Sequence, residues 1–259
     1  MQQSDRPQLS VVVPAFNEAV RVGACIERAT AYLAAQPYAS ELIVVSDGST
    51  DATAQIAREA GRERVRVIEM ATNRGKGFAV RTGVLAATGS HVLFSDVDFS
   101  TPIDEVERFL AAVSAGFDVV VGSRALPDSD VRVRQAWWRQ SMGRTFNHIA
   151  RAAIGFEMRD TQCGFKCFRR DAARAIFSRA RIDRYAFDVE LLWIAECLSL
   201  RVGELPVIWI DDPHSKVHPI RDSLRMLVDL AAIRRHDARG AYEASPVAPD
   251  APDQRGPAK

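Results

Sequence analysis

Five short apolar runs, each closed by residues that stop a strand, limit what this chain can fold into. They are Leu9-Ser10-Val11-Val12-Val13 before Pro14, Glu41–Ser46 around Leu42-Ile43-Val44-Val45, Val65–Glu69, Val92–Ser95 and Asp118–Val121. Runs that are apolar at nearly every position suit strands buried on both faces, as in a parallel sheet. Between them lie stretches with helical spacing: Asn17–Ala35, Ala52–Ala60, Phe78–Ala87 and Asp104–Ser114. Alternation of this kind predicts right-handed βαβ crossovers, hence an α/β domain with a single, mostly parallel central sheet flanked by helices. Ligands of such sheets bind beyond the carboxyl ends of the strands. Pro14, Asp47, Asp96 and Asp98 all fall there.

The run Val92–Ser95 leads into Asp96-Val97-Asp98. Extended as a strand, it would put Asp96 and Asp98 on one side and Val97 on the other. Two carboxylates so placed make a hard-oxygen site suited to Mg²⁺ or Mn²⁺ holding a diphosphate. Asp is also a common turn residue, and for the pair by itself a plain turn is the favoured reading.

Composition removes several alternatives. The chain has 259 residues, long enough for a real core, with 47% hydrophobic and 26% charged residues. A formal net charge of +1 gives no global field for nucleic acid. The four cysteines, Cys25, Cys163, Cys167 and Cys197, form no C-x-x-C pair and no zinc pattern, which points to a reduced, cytoplasmic setting. The longest stretch without Asp, Glu, Lys or Arg is Thr82–Ser95, too short and too polar to span a bilayer. Residues 1–8 read as a flexible polar N-terminus, 9–243 as the folded domain, and 244–259, rich in Pro, Ala and Asp, as a disordered tail.

The first strand-to-helix turn reads Pro14-Ala15-Phe16-Asn17-Glu18, not G-x-G-x-x-G, and no G-x-x-x-x-G-K-[ST] occurs. Gly75-Lys76-Gly77 is too short to cradle a phosphate chain. Any nucleotide would then be held by carboxylates and a metal. A nucleotidyltransferase would want a glycine-rich, basic loop after the first strand, and Pro14–Glu18 is not one.

Four motifs in order, Val13–Glu18, Val45–Asp51, Asn73-Arg74-Gly75-Lys76-Gly77 and Asp96-Val97-Asp98, resemble the landmarks of family 2 glycosyltransferases with the GT-A fold. Val121-Gly122-Ser123-Arg124, Arg159–Lys166, Phe187–Leu191 and Ser215-Lys216 resemble the dolichyl- or polyprenyl-phosphate glucosyltransferase branch. The resemblance implies an inverting glycosyltransferase that moves glucose from UDP-glucose to a polyprenyl or dolichyl phosphate. GDP-mannose as donor, a soluble hydroxyl acceptor, and a non-catalytic nucleotide-sugar binding module are the alternatives.

It also implies roles. Asp47 would accept the base N–H, which uracil and guanine both offer, so it does not choose between the donors. The same residue could serve as a helix N-cap. Pro14 and Glu18 would line the nucleotide pocket, although Glu18 could equally be a first-turn acid complementing a helix dipole. Lys76 would meet the nucleotide or a phosphate, or be an exposed loop lysine. Asp98 would be the direct metal ligand, with Asp96 nearer the ribose or a metal-bound water. Arg124, Lys166 and Lys216, beside Ser215, would ligate acceptor phosphate. Asp160 and Gln162 would bind sugar hydroxyls or order their loop.

A phosphate acceptor is already a nucleophile, because its second pKa is about 6, and it needs no general base. A hydroxyl acceptor would need one, and Asp188 and Asp160 are the candidates. If Ala186–Leu198 is a helix, Asp188 faces the site and Glu190 does not. Peripheral membrane contact has two candidates: Val131–Phe156, which interleaves arginines with Trp137 and Trp138, and Arg221–His236. Both could instead be amphipathic helices packed on the sheet, the favoured reading for the second.

Overall fold

The structure is a computed structural model that describes residues 6–132, 155, 158–210 and 219–243, with side chains from Arg225 onward in the last segment. Strands β1 (Leu9–Ala15), β2 (Ser40–Ser46), β3 (Val65–Glu69), β4 (His91–Ser95) and β5 (Val119–Ser123) form where the apolar runs predict them. A two-residue ribbon pairs β6 (Asp130–Val131) with β9 (Ile208–Trp209). The strands β7 (Phe165–Arg169) and β8 (Val202–Pro206) complete a seven-stranded sheet of order β3-β2-β1-β4-β7-β5-β8. All neighbours are parallel except β7, which runs antiparallel between β4 and β5.

Alternate residues of each strand enter separate cores. Val12, Ile43, Val45, Phe94, Val119 and Val121 face one way, while Val11, Val13, Leu42, Val44, Leu93 and Val120 face the other. Helices α1 (Val22–Ala34), α2 (Thr53–Gly61) and α4 (Val106–Ser114) cover the second face. The first face is covered by α3 (Lys76–Ala86), α5 (Arg170–Phe177), α6 (Phe187–Cys197) and α7 (Pro219–Asp237). Each fully buried Val, Leu, Ile or Phe contributes about 1.5–3 kcal/mol by leaving water, so this sandwich accounts for the apolar runs.

Several expected boundaries move for local reasons. The first helix starts at Val22, not Asn17, because Asn17 takes a left-handed φ of 54°. Glu18 therefore lies ahead of the helix and is not a first-turn acid. The third helix starts at Lys76, two residues before Phe78, because Asp47 accepts the Gly75 N–H at 2.7 Å. Pro7 and Gln8, expected in a flexible N-terminus, are held by backbone bonds Ser90 N→Pro7 O (3.0 Å) and Gln8 N→Ala39 O (2.7 Å). Met226, Leu230 and Ile233 are buried in the core of this face, where α7 packs against α6. Val131–Phe156 lies almost wholly outside the described residues, as do Ser215, Lys216 and residues 244–259.

Candidate active site

After β1 the chain goes to β2 and β3 on one side and then crosses to β4 on the other. That reversal opens a crevice at the carboxyl ends of β1 and β4, where an open α/β sheet binds its ligand. The loop after β1 and the loop after β2 are stitched together there. Asn17 Oδ1 accepts the Thr50 N–H (2.8 Å), and the Glu18 N–H donates to Thr53 Oγ1 (2.7 Å). Glu18 is buried, and its carboxylate takes both arms of the Arg21 fork at 2.7 Å. Pro14 is buried within β1.

Asp47 follows β2 and is 2% exposed. Its carboxylate accepts Asn73 Nδ2 (2.8 Å), Arg74 N (2.9 Å) and Gly75 N (2.7 Å). It is thus no cap for α2, the helix that follows it in the chain. It clamps the loop 73–75 and seats the start of α3. A carboxylate has about four acceptor positions, so one remains for an incoming N–H.

Strand β4 ends at Ser95, one residue before the first aspartate. Asp96, Val97 and Asp98 belong to a tight turn closed by Phe99 N→Asp96 O (3.1 Å), with Phe99 at a φ of 44°. Strand alternation therefore does not set their directions. Val97 is buried in the core, and the two carboxylates remain close enough to repel. Burial and then Asp96 push the Asp98 carboxyl above its ordinary pKa, against the Ser100 N–H that it accepts at 2.9 Å. Gly164 leaves room for Asp96, since a Cβ there would overlap its carboxylate.

Lys76 stands at the first position of α3 with Nζ 2.5 Å from Asp96 Oδ1. Burial pulls its pKa down, but Asp96, Asp188 and Asp98 outweigh that and hold the ammonium above its ordinary range. It is no exposed loop lysine. Among the described residues no three His, Cys, Asp or Glu side chains group as metal ligands. The two carboxylates are hard-oxygen donors that would suit Mg²⁺ or Mn²⁺, with diphosphate oxygens and water to supply the remaining ligands. The ammonium beside Asp96 shows that this position favours a cation.

Two further pairs line the same end of the sheet. Arg124, just after β5, forks onto Asp160 through Nε (2.7 Å) and Nη2 (2.9 Å). Asp160 is 2% exposed and also accepts the Arg124 and Gln162 backbone N–H groups at 3.1 Å. Burial alone would raise its pKa, but Arg124 outweighs this and brings it to about 2. Asp160 orders its loop, and Gln162 lies beside it.

Lys166 is entirely buried on β7, donating to Cys163 O (2.7 Å) and Asp188 Oδ1 (2.6 Å) under the Phe94 ring. Lys166, expected to ligate phosphate, has no exposed surface in this structure and is bonded to Asp188. Phe165 and Cys167 take the other face of β7, so alternation puts Lys166 on the Phe94 side, where Asp188 of α6 meets it. Asp188 does face this cluster, whereas Glu190 turns away to Tyr242 Oη (2.7 Å) and the Ile182 N–H (2.8 Å). Sequence reasoning missed Asp183, which holds Arg74 (3.0 Å) and Arg81 (2.7 Å), and Glu204, which accepts the Asp160 N–H (2.9 Å). Neither stands in a motif, and their partners are distant in the chain.

The family model for glycosyl transferase family 2 matches residues 10–177, a span that begins at the second residue of β1 and contains β2 to β5, β7 and every site residue up to Lys166. The chain belongs to glycosyl transferase family 2. Relatives named dolichyl-phosphate beta-glucosyltransferase are 36% identical in Drosophila melanogaster (95% of this chain, 80% of the relative) and 37% in Mus musculus (92% and 78%). The one from Saccharomyces cerevisiae is 33% identical, over 90% of this chain and 76% of its own. The fold is GT-A. It is shared with glucosyl-3-phosphoglycerate synthase of Mycobacterium tuberculosis crystallised with Mn²⁺, UDP and glucosyl-3-phosphoglycerate (TM-score 0.64, 19% identity, 93% and 82% coverage). The same enzyme was also crystallised with Mg²⁺ and UDP. Among the described residues of this family 2 chain, no helix is long and apolar enough to cross a membrane.

Proposed function

We propose that this glycosyltransferase moves glucose from UDP-glucose to a polyprenyl or dolichyl phosphate with inversion at the anomeric carbon. The relatives' names support glucose as the sugar and dolichyl phosphate as the acceptor. The observation that carries the acceptor choice is that both candidate bases are committed to cations. Asp188 is bonded to Lys166 at 2.6 Å and Asp160 to Arg124 at 2.7 Å. A hydroxyl acceptor would need one of them free, whereas a phosphate is already charged at neutral pH.

In this reading the acceptor phosphate oxygen attacks the anomeric carbon, the bond to the β-phosphate oxygen breaks, and UDP leaves with the electron pair. A divalent ion, when bound, supplies charge neutralisation for that leaving diphosphate. Asp98 and Asp96 would hold it; Asp47 would take the base N–H on its remaining acceptor position while fixing the 73–75 loop. Pro14 and Glu18 shape the wall of the nucleotide pocket, Glu18 through its buried pair with Arg21. Arg124 keeps Nη1 outside its pair with Asp160 and offers it to phosphate, with Gln162 beside it. Lys166 acts one step removed, by holding Asp188 in place. Lys216 and Ser215 are proposed for the acceptor phosphate on the motif alone, and peripheral contact with a membrane follows from the acceptor's lipid chain.

The test supplies purified protein with Mg²⁺, a short polyprenyl phosphate, and radiolabelled UDP-glucose or GDP-mannose. Chloroform-extractable label from UDP-glucose is expected. Label from GDP-mannose alone overturns the donor, and label from neither overturns the acceptor.

A further inference from the structure

The contact between Lys76 and Asp96 raises a question of charge that the metal site does not answer. The ammonium is 2.5 Å from the very carboxylate placed in the metal site, and it feels Asp98 and Asp188 as well. An ammonium on Asp96 and a divalent ion on the same carboxylate would face each other across a few ångströms as like charges.

From this geometry we infer that Lys76 is an exchangeable counter-ion: it neutralises Asp96 while the site holds no metal, and the arriving divalent ion displaces it. The freed ammonium then turns to the diphosphate that comes with the metal. This inference rests on the metal reading above and adds an order of events to it.

The backbone is built so that only the side chain has to move. Gly75 N is held by Asp47 at 2.7 Å, and Gly75 itself sits at a φ of 120° against the Asp183 carbonyl. Gly77 packs on the Ile182 carbonyl and on Phe187, where no side chain fits. A lysine's four-carbon stem carries its charge through several ångströms without disturbing such an anchor. About a quarter of the Lys76 side chain and a third of the Asp96 side chain are exposed, leaving an open route between them and solvent.

The charge count agrees. Asp96, Asp98, Asp160 and Asp188 face Lys76, Lys166 and Arg124, four negative against three positive. Lys166 and Asp188 are both buried, and Asp160 is buried under the Arg124 fork, whereas Lys76 and Asp96 are both partly exposed, on a backbone that needs no change. The exchange also gives metal and sugar nucleotide a reason to bind together, since the diphosphate receives the ammonium that the metal expels.

The test measures Mn²⁺ binding to the full chain from the free-ion EPR signal, without nucleotide. A neighbouring charge within about 4–6 Å changes a site's cation affinity by one to three powers of ten, less where solvent screens it. Lys76→Met is therefore expected to bind Mn²⁺ roughly three- to tenfold tighter than wild type, while Lys76→Arg stays near wild type. Addition of UDP should tighten Mn²⁺ more in wild type than in Lys76→Met. On the wild-type protein, Mn²⁺ should also speed acetylation of Lys76 by acetic anhydride, read by mass spectrometry, which needs no variant to fold.

Unchanged or weaker Mn²⁺ affinity in a folded Lys76→Met, or an acetylation rate that Mn²⁺ does not raise, overturns the exchange. If either occurs while labelled glucose is still transferred, the proposed function stands without it. If the exchange is seen but no sugar moves, the proposed function falls and the counter-ion role remains.

Discussion

Lys166 Nζ and Asp188 Oδ1 lie 2.6 Å apart inside the protein, one side chain on an antiparallel strand and the other on the first turn of α6. Burial pushes the Asp188 carboxyl upward in pKa, and Lys166 and Lys76 pull it back down without cancelling the rise. The pair ties the edge of the site to the core that α6 covers.

Breaking that pair leaves a buried charge alone. Asp188→Ala is expected to cost about 3–5 kcal/mol, the usual penalty for removing one partner of a buried ion pair. For a chain of this size that lowers Tm by roughly 10 °C. Replacing both residues with apolar ones, Lys166→Met with Asp188→Leu, should recover part of the loss. Urea denaturation of the two proteins checks both statements, and a double variant no more stable than the single one would count against them.

Asp98→Asn separates stability from activity. The folded pKa of Asp98 is raised, so the folded state binds more protons and loses stability as pH rises through that range. An amide carries no such burden. In EDTA at neutral pH the variant should melt at or slightly above wild type, while glucose transfer falls at least about a hundredfold. Removing the divalent ion from wild type should abolish transfer, and Mn²⁺ or Mg²⁺ should restore it.

The Arg124–Asp160 fork gives an acid signature. Asp160 sits at about 2 when folded, below its unfolded value, so its contribution is complete above the unfolded pKa and fades as pH falls toward 2. A shift of this size corresponds to about 2 kcal/mol. Wild type should therefore exceed Asp160→Asn in stability by that order at pH 6, with the gap closing between about pH 4 and pH 2. Chemical denaturation across that range reads it directly.

Asp47→Ala should loosen the start of α3. It removes the acceptor for the Arg74 and Gly75 N–H groups and for Asn73, costing about 2–3 kcal/mol. Hydrogen exchange at residues 73–77 should quicken, and the KM for UDP-glucose should rise. Exchange unchanged in that loop would mean that Asp47 does not hold it.

The amino-acid sequence determined the layers. Runs such as Leu9–Val13 and Leu42–Val45 are apolar on both faces, so they had to lie between two helical layers, and their turns had to gather at one sheet end. The order of the motifs also carried the family, and the D-x-D turn arrives where the sheet reverses direction. Only tertiary structure decided which charge meets which. Lys166 and Asp188 are 22 residues apart, Arg124 and Asp160 are 36, and Asp47 and Gly75 are 28. Spacing along a helix or strand fixes neighbours within a few residues, because the backbone geometry repeats. Contacts at these separations depend on how strands are ordered, above all on β7 entering between β4 and β5, which brings Lys166 beside Phe94 and within reach of Asp188 on α6. A lysine in a motif looks the same whether it will meet a phosphate or a buried carboxylate; the packing around it makes the choice.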